Sequence, residues 1–231
     1  TKLKRFVVNK ITFKGIALFL GILTASQAMA AFTLNGTRFI YDEGRKNISV
    51  EVSNVTDHTY GGQVWVDNTT TPSSEVYFTP APSFFKVEGK EKQIVRLLNI
   101  NSDLPADRES LFWLNVQEIP PAPKEGGNVL ALALNTQVKL FYRPKNIKEG
   151  RDKAEQQLEI SGTKLKNPTP YYFAITSVSV NGIKIKPSSS LDKKLSQMAP
   201  FSEVDIGQTL SGTVVIEAID DYGARREYKL K

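Results

Sequence analysis

No cysteine occurs anywhere in the 231-residue chain, and histidine occurs only once. Without thiols there can be no disulfide, no thiolate metal site and no cysteine nucleophile. The lone histidine, His58, sits in the turn-like stretch Asn54–Gly62, with no serine or carboxylate motif around it, and reads as a solvated turn residue rather than a base. A G-x-S-x-G elbow, a P-loop and a dinucleotide fingerprint are all missing. So is any long amphipathic helix. An exported hydrolase therefore has no catalytic constellation to work with, and neither a cofactor nor a metal is expected.

The first 30 residues stand apart in composition. Thr1–Lys14 carries Lys2, Lys4, Arg5, Lys10 and Lys14 and no acid; Gly15–Ala25 is apolar; Ala28-Met29-Ala30 is an A-x-A cleavage pattern. These are the three parts of a secretory signal peptide, which predicts export with cleavage after Ala30. An apolar run this short spans a bilayer poorly. Of the chain's 30 basic residues five lie in this segment, so the remainder has 25 basic against 24 acidic residues, a net of +1. The high isoelectric point is largely a property of the leader, and a nucleic-acid partner is excluded on that ground.

Past Ala30 the pattern is one of short strands between turn residues. Phe32–Ile40 opens it. Asn47–Ser53 alternates, with Ile48, Val50 and Val52 on one side and Ser49, Glu51 and Ser53 on the other. Gln63–Val66 follows Gly61-Gly62, with Trp65 expected in the core. Val76–Phe78, the turn Thr79–Pro82, Phe84–Val87, Gln93–Ile100 and Leu111–Ile119 continue the series. About seven strands in this space is the signature of an immunoglobulin-like sandwich. Lys145–Ala154, charged and weakly apolar, reads as a linker. A second β unit follows, in which Asn181-Gly182 signals a two-residue hairpin between Ser177–Val180 and Ile183–Lys186, and Thr213–Ile219 is its last strong strand. The expectation is an all-β chain: a leader at 1–30, an N-terminal domain at 31–150 and a C-terminal domain at 151–231.

The stretch Asn128–Pro144 has its own pattern. Leu130, Leu132 and Leu134 recur at a spacing of two, so an extended chain points all three to one face. The segment is too short to span a membrane, and Pro144 ends any ladder. Alternation alone fits an ordinary core strand.

Several further motifs carry a family resemblance. They are Thr37-Arg38, the run Leu104–Trp113, Glu118–Pro121, Lys139–Pro144, Asn167–Tyr172 and Asp221-Tyr222-Gly223. On these residues, over essentially the whole chain past Ala30, the sequence resembles the PapD-like periplasmic pilus-assembly chaperones. Such chaperones are standard examples of both the sandwich architecture and strand addition. The resemblance implies two immunoglobulin-like domains in an L or boomerang, with a subunit-binding cleft between them. It implies that Arg38 and Lys139 hold the C-terminal carboxylate of a pilus subunit, a task suited to a guanidinium fork and a mobile ammonium. It implies that Leu130, Leu132 and Leu134 are the exposed row of an edge strand lent to a subunit by donor-strand complementation, where burying three leucines contributes on the order of 5–9 kcal/mol before association costs. Glu109, Arg143 and Asp221 match an ion network between the domains. The implied partners are pilus or fimbrial subunits and an outer-membrane usher, in the periplasm, with self-association through the exposed edge strand as a further expectation.

Two features depart from the family pattern. The second domain lacks the disulfide often found near its C-terminus, and Thr79–Pro82 has an extra spacing between its prolines. The short loop Pro120–Gly127 resembles the branch serving rod- and fimbria-forming subunits. The competing reading is a fimbrial structural subunit or adhesin of immunoglobulin type. A subunit would bring an N-terminal donor extension and lack its own final strand, which does not match this chain.

Overall fold

The computed structural model describes residues 30–69, 74–122 and 132–230, so the leader expected at 1–29 and Leu130 lie outside the described residues. Among the described residues of Ala31–Arg143, nine strands form two sheets. The strands are β1 (Phe32–Leu34), β2 (Arg38–Asp42), β3 (Ile48–Asn54), β4 (Tyr60–Asn68), β5 (Phe78–Ala81), β6 (Phe84–Val87), β7 (Lys92–Asn99), β8 (Ser110–Ile119) and β9 (Asn135–Arg143). One sheet runs β1-β3-β7-β5 and the other β2-β9-β8-β4-β6. Period-two alternation puts Val50, Val52, Val95 and Leu97 of the first sheet against Val64, Phe112, Leu114, Val116 and Leu140 of the second, all buried in one core. Phe78 and Phe112 meet edge to face there, 4.9 Å between ring centroids.

The opening segment is not one strand. It pairs with β3 as Phe32–Leu34, breaks at Asn35–Thr37, and switches sheets to lie parallel to β9 as Arg38–Asp42. Serving both sheets is what the break allows. Trp65 is also not in the core: Val64 faces inward on β4, and strand alternation turns Trp65 to the opposite face, where its indole N–H donates to Asp67 at 3.2 Å. Thr79–Pro82 is not a simple turn either, because Phe78–Ala81 is a strand. Pro80 is tolerated in it because β5 is a sheet edge, and the Ala81–Pro82 bond is cis. Gly62 lies inside β4, and a Cβ there would stand 2.3 Å from the Phe85 ring.

The second domain carries β10 (Glu159–Ser161), β11 (Lys164–Lys166), β12 (Ala174–Val180), β13 (Ile183–Lys184), β14 (Glu203–Asp205), β15 (Val214–Ile219) and β16 (Arg225–Lys229). Its sheets run β10-β11-β14 and β13-β12-β15-β16. Leu165, Ile175, Val178, Met198, Val214 and Ile216 fill its core. Asn181 and Gly182 both have positive φ, 51° and 82°, as a type I′ hairpin requires. The stretch read as a linker is more ordered than its composition suggests. It forms 3₁₀ turns over Lys145–Arg151 and Ala154–Gln157, with Ala154 and Glu155 buried.

A helix α1 (Ser189–Ser196) was not legible as such. Ser188 caps it by accepting from the Leu191 N–H at 3.3 Å, and only Leu195 is buried. Eight residues with so few apolar positions give too little periodicity to read.

Candidate functional site

The parallel pairing of β2 with β9 sets Arg38 beside Lys139, Ile40 beside Phe141 and Asp42 beside Arg143. In-register neighbours share a face, so the two cations and Arg143 project from the side of the sheet opposite the core. This side meets the second domain. Leu111 and Phe141 pack against Tyr172, with Ile40 and Ala199 at the margin. The Glu109 N–H donates to the Pro170 carbonyl at 2.9 Å.

Arg38 and Lys139 make no ion pair among the described residues. Arg38 Nη1 donates to the Ile219 carbonyl at 2.9 Å, and its Nε is buried without a hydrogen-bond partner. Lys139 Nζ donates to the Ser196 carbonyl, at the C-terminal end of α1, and lies 6.0 Å from the Trp113 ring centroid. A helix end offers an unsatisfied carbonyl and a partial negative charge, which accounts for the choice of partner. Burial, reinforced by the Arg38 charge, lowers the Lys139 ammonium to about 8. Burial lowers Arg38 as well, with the Asp221 charge acting the other way. The result is a half-buried pair of cations supplied only with neutral acceptors. α1 and its terminal carbonyl are parts of the site that sequence reasoning missed.

The structure brings Glu109, Arg143 and Asp221 together. Arg143 Nε and Nη2 both reach Glu109 Oε1 at 2.7 Å, and Nη1 reaches Asp221 Oδ2 at 2.7 Å. The second Glu109 oxygen accepts from the Tyr172 N–H at 2.8 Å. Arg151 joins the group, 2.8 Å from Glu155 and 3.3 Å from Asp221. Burial works against the Arg143 charge, but hydrogen bonds and charges from Asp221 and Glu109 outweigh it and hold the guanidinium above its usual range. The turn after β15 presents Asp221, and its Gly223 has φ 86° with a would-be Cβ 2.7 Å from the Thr37 hydroxyl, so no other residue fits without displacing the first domain's contact.

Leu132 and Leu134 lie just ahead of β9. β8 pairs with β9 over Asn135–Tyr142, whereas β2 pairs with it only over Lys139–Arg143. Among the described residues, Asn135–Val138 thus have a strand on one side only. The ladder to β8 extends one step further, with the Glu118 N–H donating to the Leu134 carbonyl at 2.9 Å. Leu132 is 59% exposed and Leu134 40%. Both precede the first residue of β9 and share the inward parity of Leu140 and Tyr142, yet they lie beyond the end of the packed core.

Two family models match the chain: the N-terminal domain of the pili and flagellar-assembly chaperone PapD over residues 31–148, and the C-terminal domain of the pili assembly chaperone PapD over residues 153–230. Chaperone protein FanE of Escherichia coli is 49% identical over 223 residues, covering 94% of this chain and 98% of its own length. Chaperone protein FaeE of Escherichia coli is 38% identical over 226 residues, covering 94% and 85%. Among solved structures, the periplasmic chaperone SfaE matches with a TM-score of 0.70 at 29% identity, over 86% of this chain and 98% of that one. The Salmonella enterica complex of SafA pilin with the SafB chaperone matches with a TM-score of 0.72 at 27% identity, over 88% and 97%. The chain belongs to the PapD-like family of pilus-assembly chaperones. That membership sets aside the fimbrial-subunit reading.

Proposed function

We propose that this protein is a periplasmic chaperone that captures pilus subunits by donor-strand complementation and hands them to an outer-membrane usher. A basic then apolar opening that ends in the Ala28-Met29-Ala30 pattern supports export with cleavage after Ala30, and similarity to a protein named as a periplasmic chaperone supports the location. Two domains dividing near residue 150 lend it the cleft. Arg38 and Lys139 hold the subunit's C-terminal carboxylate; Leu132 and Leu134, with Leu130 beyond the described residues, enter the groove left by a subunit's missing strand; Glu109, Arg143 and Asp221 fix the domains against each other.

The observation that carries this reading is the pair of half-buried cations with no carboxylate bonded to either among the described residues, next to a strand edge that no described strand covers. A carboxylate would replace a neutral carbonyl as partner, and charge-assisted bonds are about twice as strong as neutral ones. The edge supplies unpaired main-chain donors and acceptors, which is what strand addition consumes.

The test is co-purification from periplasm. Arg38→Ala and Lys139→Ala should remain folded, since neither side chain is in a core, yet lose roughly 2–5 kcal/mol of subunit binding. A pilin recovered with either variant at wild-type yield would remove the anchor.

A further inference from the structure

Asn115 is the most buried polar side chain on the outer face of β8, 1% exposed, and the chaperone reading as stated gives it no task. Its carboxamide N–H groups donate to Asp67 Oδ2 at 2.9 Å and to the Trp113 carbonyl at 3.2 Å. Its oxygen accepts from Asn135 Nδ2 at 3.0 Å and from Gln137 Nε2 at 2.9 Å. Asp67 is itself held by the Trp65 indole N–H at 3.2 Å, so the amide is anchored from β4 and reaches across β8 to β9. All the hydrogen-bonding capacity of one buried amide is thus used, and half of it is spent on two surface side chains.

Those two side chains are not arbitrary. Antiparallel pairs alternate between hydrogen-bonded and non-hydrogen-bonded positions. The Glu118 to Leu134 bond makes Leu134 a bonded position, so Thr136 and Val138 are bonded to β8 as well. Asn135 and Gln137 are the positions between them, whose main-chain groups face the open edge. Lacking ladder bonds to β8, they are tied to it by their side chains through Asn115.

Building on the proposed strand donation, we infer that Asn115 is a positioning residue: it clips Asn135 and Gln137 flat on the sheet, so that the free edge waits in a strand-ready form. An edge strand with a partner on one side only frays at its free end, and a frayed donor must be ordered during capture, which slows association. Once a subunit strand is added, the segment is bonded on both sides and the clip is redundant. Asn115 therefore acts on the rate of capture and not on the lifetime of the complex.

Amide hydrogen exchange on the free protein reads the clip directly. Asn115→Leu should accelerate exchange at Thr136 and Val138 tenfold or more, with Val50 and Val95 unchanged. Because a buried substitution can disturb folding, Asn135→Ala with Gln137→Ala provides the same loss from exposed positions and should give the same result. With the pilin that co-purifies with the wild-type chain, refolded into the presence of each variant, the association rate should fall about tenfold and the dissociation rate stay unchanged. Unaltered exchange at Thr136 and Val138 in both variants overturns the clip. Accelerated exchange with an unchanged association rate overturns its role in capture. Failure of the chaperone reading looks different: no pilin accompanies even the wild-type chain, while the amides respond as described.

Discussion

Lys139 is held in the folded protein at a cost. Its ammonium is lowered from 10.5 to about 8, first by burial and then by Arg38. The unfolded chain therefore binds the proton more tightly than the folded one, so stability attributable to this group rises as pH increases from about 8 toward 10.5. At pH 7 the charge is present and uncompensated, and Lys139→Met should melt above the wild type, with the gap closing as the pH passes 8. The same side chain should set the pH profile of capture. A carboxylate needs the ammonium form, so affinity for a peptide ending in a free carboxylate should be flat below pH 7 and fall by up to about tenfold per unit above 8. Differential scanning fluorimetry and peptide titration from pH 6 to 10 check both halves. A Lys139→Met variant that melts below the wild type at pH 7 would mean that the Ser196 carbonyl and the Trp113 ring more than offset the repulsion.

For the strand element, the question is where an alternating leucine row stops being core. Leu132 and Leu134 have the same parity as Leu140 and Tyr142, which are buried, and Val138, which is packed against the core. Spacing cannot separate the two groups, because what differs is the reach of the opposing sheet β1-β3-β7-β5. That is a tertiary fact, and it explains why alternation alone left the row readable as an ordinary strand. The burial of β3 was legible from its residues because its alternating Val50 and Val52 both fall inside the packed core. Trp65 was misread for the converse reason: an indole looks like core in isolation, but the inward position at that step belongs to Val64. The cations could be picked out only through the family motifs, since Arg38 and Lys139 are 101 positions apart and only the parallel β2–β9 register brings them together. The leucine row yields a clear expectation. Leu132→Glu places a charge on a side chain that is already 59% exposed, so stability should change by no more than about 0.5 kcal/mol and the melting temperature should barely move. Subunit binding should be lost, because the same charge would be buried in the partner's groove. Self-association through the edge, if the wild type shows it in sedimentation velocity, should disappear with it. A strongly lowered melting point would return Leu132 to the core.

Across the whole molecule, the two sandwiches are joined by contacts of unequal character. One is apolar, Leu111 and Phe141 against Tyr172. The other is ionic, and Glu109 is at its centre. Its main-chain N–H bonds Pro170, one carboxylate oxygen takes two Arg143 nitrogens, and the other takes the Tyr172 N–H. Each of these buried groups would be costly without the others, since removing one member of a buried pair leaves the other charge uncompensated. Glu109→Ala removes the more buried of the two carboxylates on Arg143 together with the acceptor of the Tyr172 N–H, and should cost roughly 3–5 kcal/mol, or a melting point lower by about 6–20 °C for a chain of this size. Asp221→Asn should cost less, because Arg143 keeps Glu109 and Asp221 is nearer solvent. The form of unfolding is the more telling readout. If the ion cluster couples the domains, calorimetry should show the wild type melting in one transition and Glu109→Ala in two, the domains now separating before each unfolds. Subunit capture should fall in the same variant even though Arg38, Lys139 and the leucines are untouched, because Lys139 and Arg38 reach Ser196 and Ile219 across this junction, where the proposed carboxylate anchor would sit. A single transition at the wild-type temperature would assign the coupling to the apolar contact alone, and Leu111 and Tyr172 would then be the residues on which the geometry of the binding site depends.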